Sequence, residues 1–314
     1  MEEKTVRPVK FKYGSVTKFN RWGNVFVIPF SVVFLIFSVY PVLRTLFLSF
    51  TNLRVMGDYK MVGFANYARV LTDKFFWKAL LNTVRIWGIN IVLQLGMAFL
   101  LMMIFSDVKY KVKGLGLYRM IYYLPNLIAA TSVAFLFKTL LDWRFGTFNI
   151  GINAIAKFLH LHYNPIDWLG SPVWAPITIA IIQSWMWFGN SFLMLMAGVQ
   201  GIPSEYFEAA ALDGANRYQI FTKVTLPLIR PILMYVAITS LIGGLQMFDI
   251  PFLLESASGS AYNTTQTVMM YLYKFGFTAG SIQTGYASAV AYVLFLIILI
   301  VSLIQLYIFR RKAD

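Results

Sequence analysis

Charged residues are absent from six long stretches of this chain: Val25 to Leu43, Ile86 to Phe105, Met120 to Phe137, Val173 to Val199, Pro231 to Phe248 and Tyr286 to Phe309. Each reaches about 18 residues or more, the length at which a helix rising ~1.5 Å per residue crosses ~30 Å of hydrocarbon. The pattern predicts an all-α, polytopic membrane protein with six transmembrane helices, which puts both termini on one side. The segments predicted from it are a basic tail (1–22), a first span with its outer loop (23–79), five further spans (80–309) enclosing a polar loop (201–227), and a short tail (310–314).

Composition agrees with the pattern. Hydrophobic residues make up 59% of the 314 positions, charged residues only 13%, and mean hydropathy is +0.66, against about a quarter charged in soluble domains. The net charge of +14 raises the question of nucleic acid, and its location answers it. Lys4, Arg7, Lys10, Lys12, Lys18 and Arg21 fill the first tail, and Lys109, Lys111, Lys113, Arg217, Lys223, Arg310, Arg311 and Lys312 fall in the other loops of that side. The opposite loops are longer yet hold fewer cations, so the positive-inside rule predicts cytoplasmic N and C termini and no nucleic-acid partner. The first apolar run is long enough to span and lacks a small-x-small cleavage site, so it reads as an uncleaved helix rather than a signal peptide. There is no cysteine and no Gly-x-x-x-x-Gly-Lys-Ser/Thr loop, which excludes thiol chemistry and a nucleotide-binding loop in this chain. His160 and His162 are the only histidines, and with no cysteine and few acidic neighbours they read as a solvated loop rather than a metal site.

The polar stretch from Pro203 to Pro231 reads as helix, break, helix. Ser204 can cap the first helix, with Glu205 and Glu208 near its positive end. Ala209, Ala210 and Ala211 give helix propensity without bulk, which lets another surface approach closely. Asp213-Gly214 is a turn signal, Ile220, Phe221 and Val224 repeat as an apolar anchor, and Leu226-Pro227 ends that piece or starts the next.

The order Glu208-Ala-Ala, Asp213-Gly214-Ala215, Phe221, Leu226-Pro227 and Pro231 resembles the EAA loop in the membrane subunits of bacterial binding-protein-dependent ABC importers, especially the maltose-type permeases of carbohydrate uptake. That resemblance implies a type I importer permease fold in the bacterial cell (inner) membrane. Residues 80–309 would be its five-helix core, with the first span peripheral. It implies a non-enzymatic subunit with no catalytic residue, cofactor or metal. The implied partners are a second homologous permease, a cytoplasmic ABC ATPase dimer, an extracytoplasmic solute-binding protein, membrane lipid and a sugar substrate. By the same resemblance, Glu205, Glu208, Ala209, Ala210, Asp213, Gly214, Arg217, Leu226 and Pro227 would couple to the ATPase. Outer-loop segments fit the family too: Gly63-Phe-Ala-Asn66-Tyr67, Phe76-Trp-Lys-Ala79-Leu-Leu-Asn82-Thr83, Gly146-Thr-Phe-Asn149 and Trp168-Leu-Gly170. Each of these can equally serve as an interfacial anchor or a docking contact. Gly285-Tyr286 at the start of the sixth span also fits the family, and the small residues there equally allow close helix packing.

Polar side chains inside spans are costly in lipid, so they point into a bundle. Gln183, Trp187 and Asn190 share one face of the fourth span; Thr239, Gly243 and Gln246 share one face of the fifth, with Asp249 a turn further out. Amides bond hydroxyls and aromatic rings pack on the apolar face of a sugar, although the same amides can simply join helices. Gln246-Met-Phe248-Asp249 resembles the Phe-Gln-x-Phe-Asp segment of sugar permeases, with Leu245 in place of the first Phe. Where the family often has Gly-Gly-Pro, this chain has Ser256-Ala-Ser-Gly259-Ser. The expected substrate-binding residues are therefore Gln183, Trp187, Asn190, Gln246, Phe248 and Asp249. Neither polar face carries a basic residue, which favours a neutral sugar over an anionic solute such as glycerol 3-phosphate. A secondary transporter would need acids in mid-span, and Asp249 lies at a span end.

Overall fold

The computed structural model describes residues 21–55, 57–106, 113–254 and 263–311. The tail cations up to Lys18, Lys109, Lys111, the Ser256-to-Gly259 departure and Lys312 lie outside the described residues. Every regular element among them is helical, apart from an isolated bridge between Thr51 and Met61.

The chain divides into two units after Phe47. In the first, α1 (Arg21–Phe34) continues through a π turn (Leu35–Val39) into α2 (Tyr40–Ser49). From Val25 to Ser49 this helical run is apolar and long enough to cross a membrane.

The second unit begins with α3 (Ala65–Thr72) and the long α4 (Lys74–Phe105). The pair α5 (Leu115–Leu127) and α6 (Ala130–Leu140) follows, then α7 (Thr147–Phe158) and α8 (Trp174–Gln200). A connecting region contains α9 (Ser204–Leu212), α10 (Arg217–Ile220), a second π turn (Phe221–Thr225) and α11 (Leu226–Leu228). The chain closes with α12 (Arg230–Leu245), α13 (Asp249–Leu254), α14 (Val268–Phe277) and α15 (Thr284–Arg311). Among the described residues, five helical segments are long and apolar enough to span: Val25–Ser49, α4, α8, Arg230–Leu254 and α15. The sixth expected span, Met120 to Phe137, is not one rod: α5 and α6 meet at 86°. Ile128 and Ala129 between them are extended, at ψ 133 and 134, just after Pro125, which cannot donate to the helical ladder. Both π turns share a local cause. Tyr40 and Leu226 each donate to the carbonyl five residues back, and a proline follows immediately, Pro41 and Pro227. The proline ring would clash with the carbonyl four residues before it, and widening the preceding turn relieves that clash.

The α4 and α8 helices form the centre. At one end Ile86, Ile179, Ile182, Met186, Met247 and Ile250 bury together; toward the other, Met102, Phe192, Leu195, Met196 and Val236 do the same. Gly189 lets α5 cross α8 closely, because a methyl group there would sit 2.0 Å from the carbonyl oxygen of Tyr122.

The loop motifs are internal fasteners. Asn66 donates to the carbonyls of Ser49 (2.9 Å) and Thr51 (2.7 Å). Asn82 donates to Asn263 (2.8 Å) and Gln266 (3.2 Å), and the Thr83 hydroxyl accepts from the Val268 N–H at 3.0 Å. A methyl group at Gly285 would meet the Thr51 carbonyl oxygen at 2.0 Å. Asp73 caps α4 through the N–H of Phe75 (2.8 Å) and accepts from the hydroxyls of Tyr271 (2.5 Å) and Tyr286 (2.9 Å). Burial works to raise the Asp73 pKa, but the Tyr271 hydroxyl, the Phe75 N–H and the Tyr286 hydroxyl outweigh it and hold the carboxyl below its ordinary value. This contribution to stability is therefore present above the ordinary carboxylate pKa and is lost only as pH falls through the lowered value.

Asn149 is the hub of the loop around α7. Its amide nitrogen donates to Trp143 (3.1 Å) and Ile166 (2.9 Å), and its oxygen accepts from the Tyr163 hydroxyl (2.6 Å) and the Trp168 indole (3.0 Å). Since each unsatisfied buried partner costs about 1–3 kcal/mol, Asn149→Ala is expected to loosen the whole loop. Amide hydrogen exchange across residues 143–168 should speed up by about tenfold or more, and unchanged protection there would refute the hub.

Candidate functional site

Near the middle of α4, α8 and α12 lies a cavity of about 150 Å³. From α8 it receives Gln183, Trp187, Asn190 and Ser191, from α12 Tyr235, Thr239, Ser240 and Gly243, and from α4 Asn90 and Gln94. The two polar faces expected from helical spacing thus meet across one space. Gln94 is held in place, donating to the Ser191 hydroxyl at 2.7 Å and accepting from Ser240 at 3.4 Å. Trp87 bonds the Ser240 carbonyl at 3.1 Å and fills the place a side chain at Gly244 would need.

Two amide atoms in the lining have no protein partner among the described residues, Asn90 Nδ2 and Gln183 Oε1. Asn90 is only 3% exposed. One is a donor on α4 and the other an acceptor on α8. No lining residue is charged. The cavity is open toward one side of the chain, where Trp187 is 43% and Tyr235 54% exposed.

Not every expected residue arrives there. Gln246, Phe248 and Asp249 are absent from the lining. The α12 helix ends at Leu245, and Gln246 follows as an exposed cap at φ −100 and ψ 13, so the helical register that aligned it with Thr239 is broken. Phe248 instead stacks on Phe252 with ring centroids 4.7 Å apart and leans on Tyr273; Asp249 opens α13, exposed. Conversely Asn90, Gln94, Ser191 and Ser240 were not among the expected residues, although Asn90 and Gln94 stand four apart in an apolar run and carry the same signal as the α8 face.

The polar connection after α8 is a built projection. On α9, Glu205, Glu208 and Ala209 are exposed, Ala210 is half-buried, and Phe207 is the buried anchor. Leu212 is 90% exposed. Asp213 ends the helix and Gly214 follows at φ +76, a left-handed conformation in which any side chain is strained. The N–H of Ala215 returns to the Ala210 carbonyl at 3.0 Å. Asn216 and Gln219 then form a reciprocal capping box that starts α10. Arg217 is not directed away from the chain: it donates to the carbonyls of Met103 (3.2 Å) and Ile104 (3.1 Å) at the end of α4. Leu226 and Pro227 form the short helix after the π turn.

This fold is that of an ABC transporter permease. A chain of the crystal structure of a bacterial ABC transporter involved in import of the acidic polysaccharide alginate superposes with a TM-score of 0.79 at 23% identity, covering 94% of this chain and 96% of that one. The sequence matches the profile of the binding-protein-dependent transport system inner membrane components over residues 14–314, and the chain belongs to that family. Among its relatives, the probable ABC transporter permease protein YesP of Bacillus subtilis is 33% identical, over 96% of this chain and 94% of the relative. The lactose transport system permease protein LacF of Rhizobium radiobacter is 32% identical, over 92% and 94%. The trehalose/maltose transport system permease protein MalF of Thermococcus litoralis is 28% identical, over 93% and 95%. The chain is a multi-pass membrane protein of a family of transport permeases.

Proposed function

We propose that this chain forms one wall of the translocation path of an ATP-driven importer for a neutral sugar or oligosaccharide. The observation that carries the reading is the mid-span cavity, in which amides, hydroxyls and the Trp187 indole converge without a charge. Such a lining suits hydroxyl groups and the apolar face of a sugar ring, and the sugars in the names of LacF and MalF agree with it. At about 150 Å³ the cavity is smaller than the ~300–1,000 Å³ usual for small-molecule sites. Its exposed polar side, at mid-membrane depth, calls for protein rather than lipid. A second, homologous permease facing Thr239, Gly243 and Trp187 would complete it.

The exposed α9 is the coupling handle, on the cytoplasmic side by the distribution of Lys and Arg. There it docks in a groove of an ATPase subunit, with Glu208 free for a charge-assisted bond and Asp213-Gly214 setting the angle. ATP chemistry belongs to those partners, since no phosphate-binding loop exists in this chain. Closure of the ATPases would pull the handle and rock the helices between inward-open and outward-open states, with an extracytoplasmic binding protein delivering the solute.

The test is ATP hydrolysis by the complete complex in lipid, with and without its binding protein loaded from a panel of neutral oligosaccharides. Native complex should be stimulated, and Glu208→Lys should abolish the stimulation. Uptake by this chain alone, with no ATPase copurifying, would overturn the reading.

A further inference from the structure

The expected role of Arg217 by family resemblance is contact with the ATPase, yet its guanidinium lies on the last carbonyls of α4, those of Met103 and Ile104. These are orphan acceptors at the negative end of a helix, where a cation is favoured both by hydrogen bonding and by the helix dipole. Arg217 sits three residues after Gly214, on the far side of an elbow fixed by the Ala215-to-Ala210 bond and the Asn216–Gln219 box. The α9 handle and the Arg217 side chain therefore move together. Covalently the handle joins α8 through residues 201–203; onward to α12 its route is softer, through a π turn and a three-residue helix.

On the other side of this bond stands α4, a single helix of 32 residues without proline. Gln94 and Asn90 are on it, about 14 and 20 Å from the Met103 carbonyl at ~1.5 Å per residue. We propose that Arg217 is the tether by which a displacement of the handle is delivered to α4, and through α4 to the cavity wall bearing Asn90 and Gln94. Arg217 is thus a positioning residue rather than a docking contact. The inference rests on the coupling reading above.

A reporter follows from the absence of cysteine in the chain. Ser240 faces Gln94 across the α12–α4 gap at 3.4 Å, and Ser240→Cys changes only oxygen to sulfur. In the complete complex in lipid, maleimide labelling of that cysteine is timed with and without a non-hydrolysable ATP analogue and Mg²⁺. The analogue is expected to change the labelling rate by about tenfold in the otherwise native complex, the size of one charge-assisted bond's influence on an equilibrium. Adding Arg217→Ala should remove that response while ATP is still hydrolysed without stimulation. Arg217→Lys, which keeps a cationic donor, should restore at least half of it. Arg230→Ala is the control, because Arg230 likewise donates to a C-terminal carbonyl, that of Phe309 at 2.8 Å, but begins α12 rather than lying on the handle side of the π turn. An unchanged response in Arg217→Ala overturns the tether. An equal loss in Arg230→Ala, or failure of the Arg217→Ala complex to assemble, makes Arg217 a structural cap and overturns it as well. A native complex that ignores the analogue sinks the coupling reading itself.

Discussion

Gly189→Val is expected to lower the thermal stability of the folded protein strongly. At this position α5 crosses α8 so closely that the first side-chain carbon would lie 2.0 Å from the Tyr122 carbonyl oxygen and 2.7 Å from its carbon. The obstacle is backbone on a packed helix, not the tip of a movable side chain, so one of the two helices must shift. Overpacking a core ordinarily costs about 1–3 kcal/mol, and a forced separation of two helices lies at or above the top of that range. The shift would also open the aromatic cluster in which Tyr122 leans on Phe188 and Phe192, at centroid distances of 6.1 and 5.9 Å. Gly189→Ala should show a smaller form of the same defect. Gly88→Ala, with nothing within 4 Å of its added carbon, should be neutral or slightly stabilising through helix propensity. Thermal midpoints of detergent-extracted protein, followed by size-exclusion fluorescence, rank the three. Equal midpoints for Gly189→Val and native protein would mean that the two helices do not meet as described.

That close approach was only partly legible in the sequence. A glycine in an apolar run signals room for a close approach, but the Tyr122 carbonyl lies more than sixty residues away and no local pattern names it. The period of 3.6 residues correctly gathered Gln183, Trp187 and Asn190 onto one face and Thr239 and Gly243 onto another, because an unbroken helix preserves that period. It failed at Gln246, where the helix had already ended, since Leu245 carries no stop signal that an apolar composition would reveal. The bend between α5 and α6 was missed although Pro125 stands just before it, because hydropathy records the solvent a residue prefers and is blind to the direction of the backbone. Asn82, Asn66 and Asn149 were visible as motif positions, yet their partners are carbonyls, which every residue has. The alternatives of anchor and docking contact omitted what these amides do, which is to fasten one loop to another segment of the same chain. Arg217 was legible as a loop cation and illegible as a tether, because its acceptors are the unnamed carbonyls of a helix end.

Asn90→Leu is expected to separate function from stability. The Asn90 amide nitrogen is buried without a partner among the described residues, so exchange for an apolar side chain of similar length orphans no donor or acceptor among them. In most buried positions the loss of an amide exposes its partners to a penalty of about 1–3 kcal/mol; here that penalty is absent, and the thermal midpoint should hold or rise. Uptake should fall by about tenfold or more, because a buried hydrogen-bonding group that serves a solute is worth about 1.4 kcal/mol or above once desolvated. Gln94→Leu is the informative contrast. Gln94 is bonded to Ser191 and Ser240, so that substitution orphans two hydroxyls and should lower stability and uptake together. If Asn90→Leu transported at the native rate, the amide would be incidental, and the path would have to lie along Gln183 and Asn190 without α4. If Asn90→Leu lost stability as Gln94→Leu does, Asn90 would be a joint between helices. Only rising or level stability with failing uptake marks a side chain retained for the solute rather than for the fold, the compromise expected where a local rule of packing is broken for function.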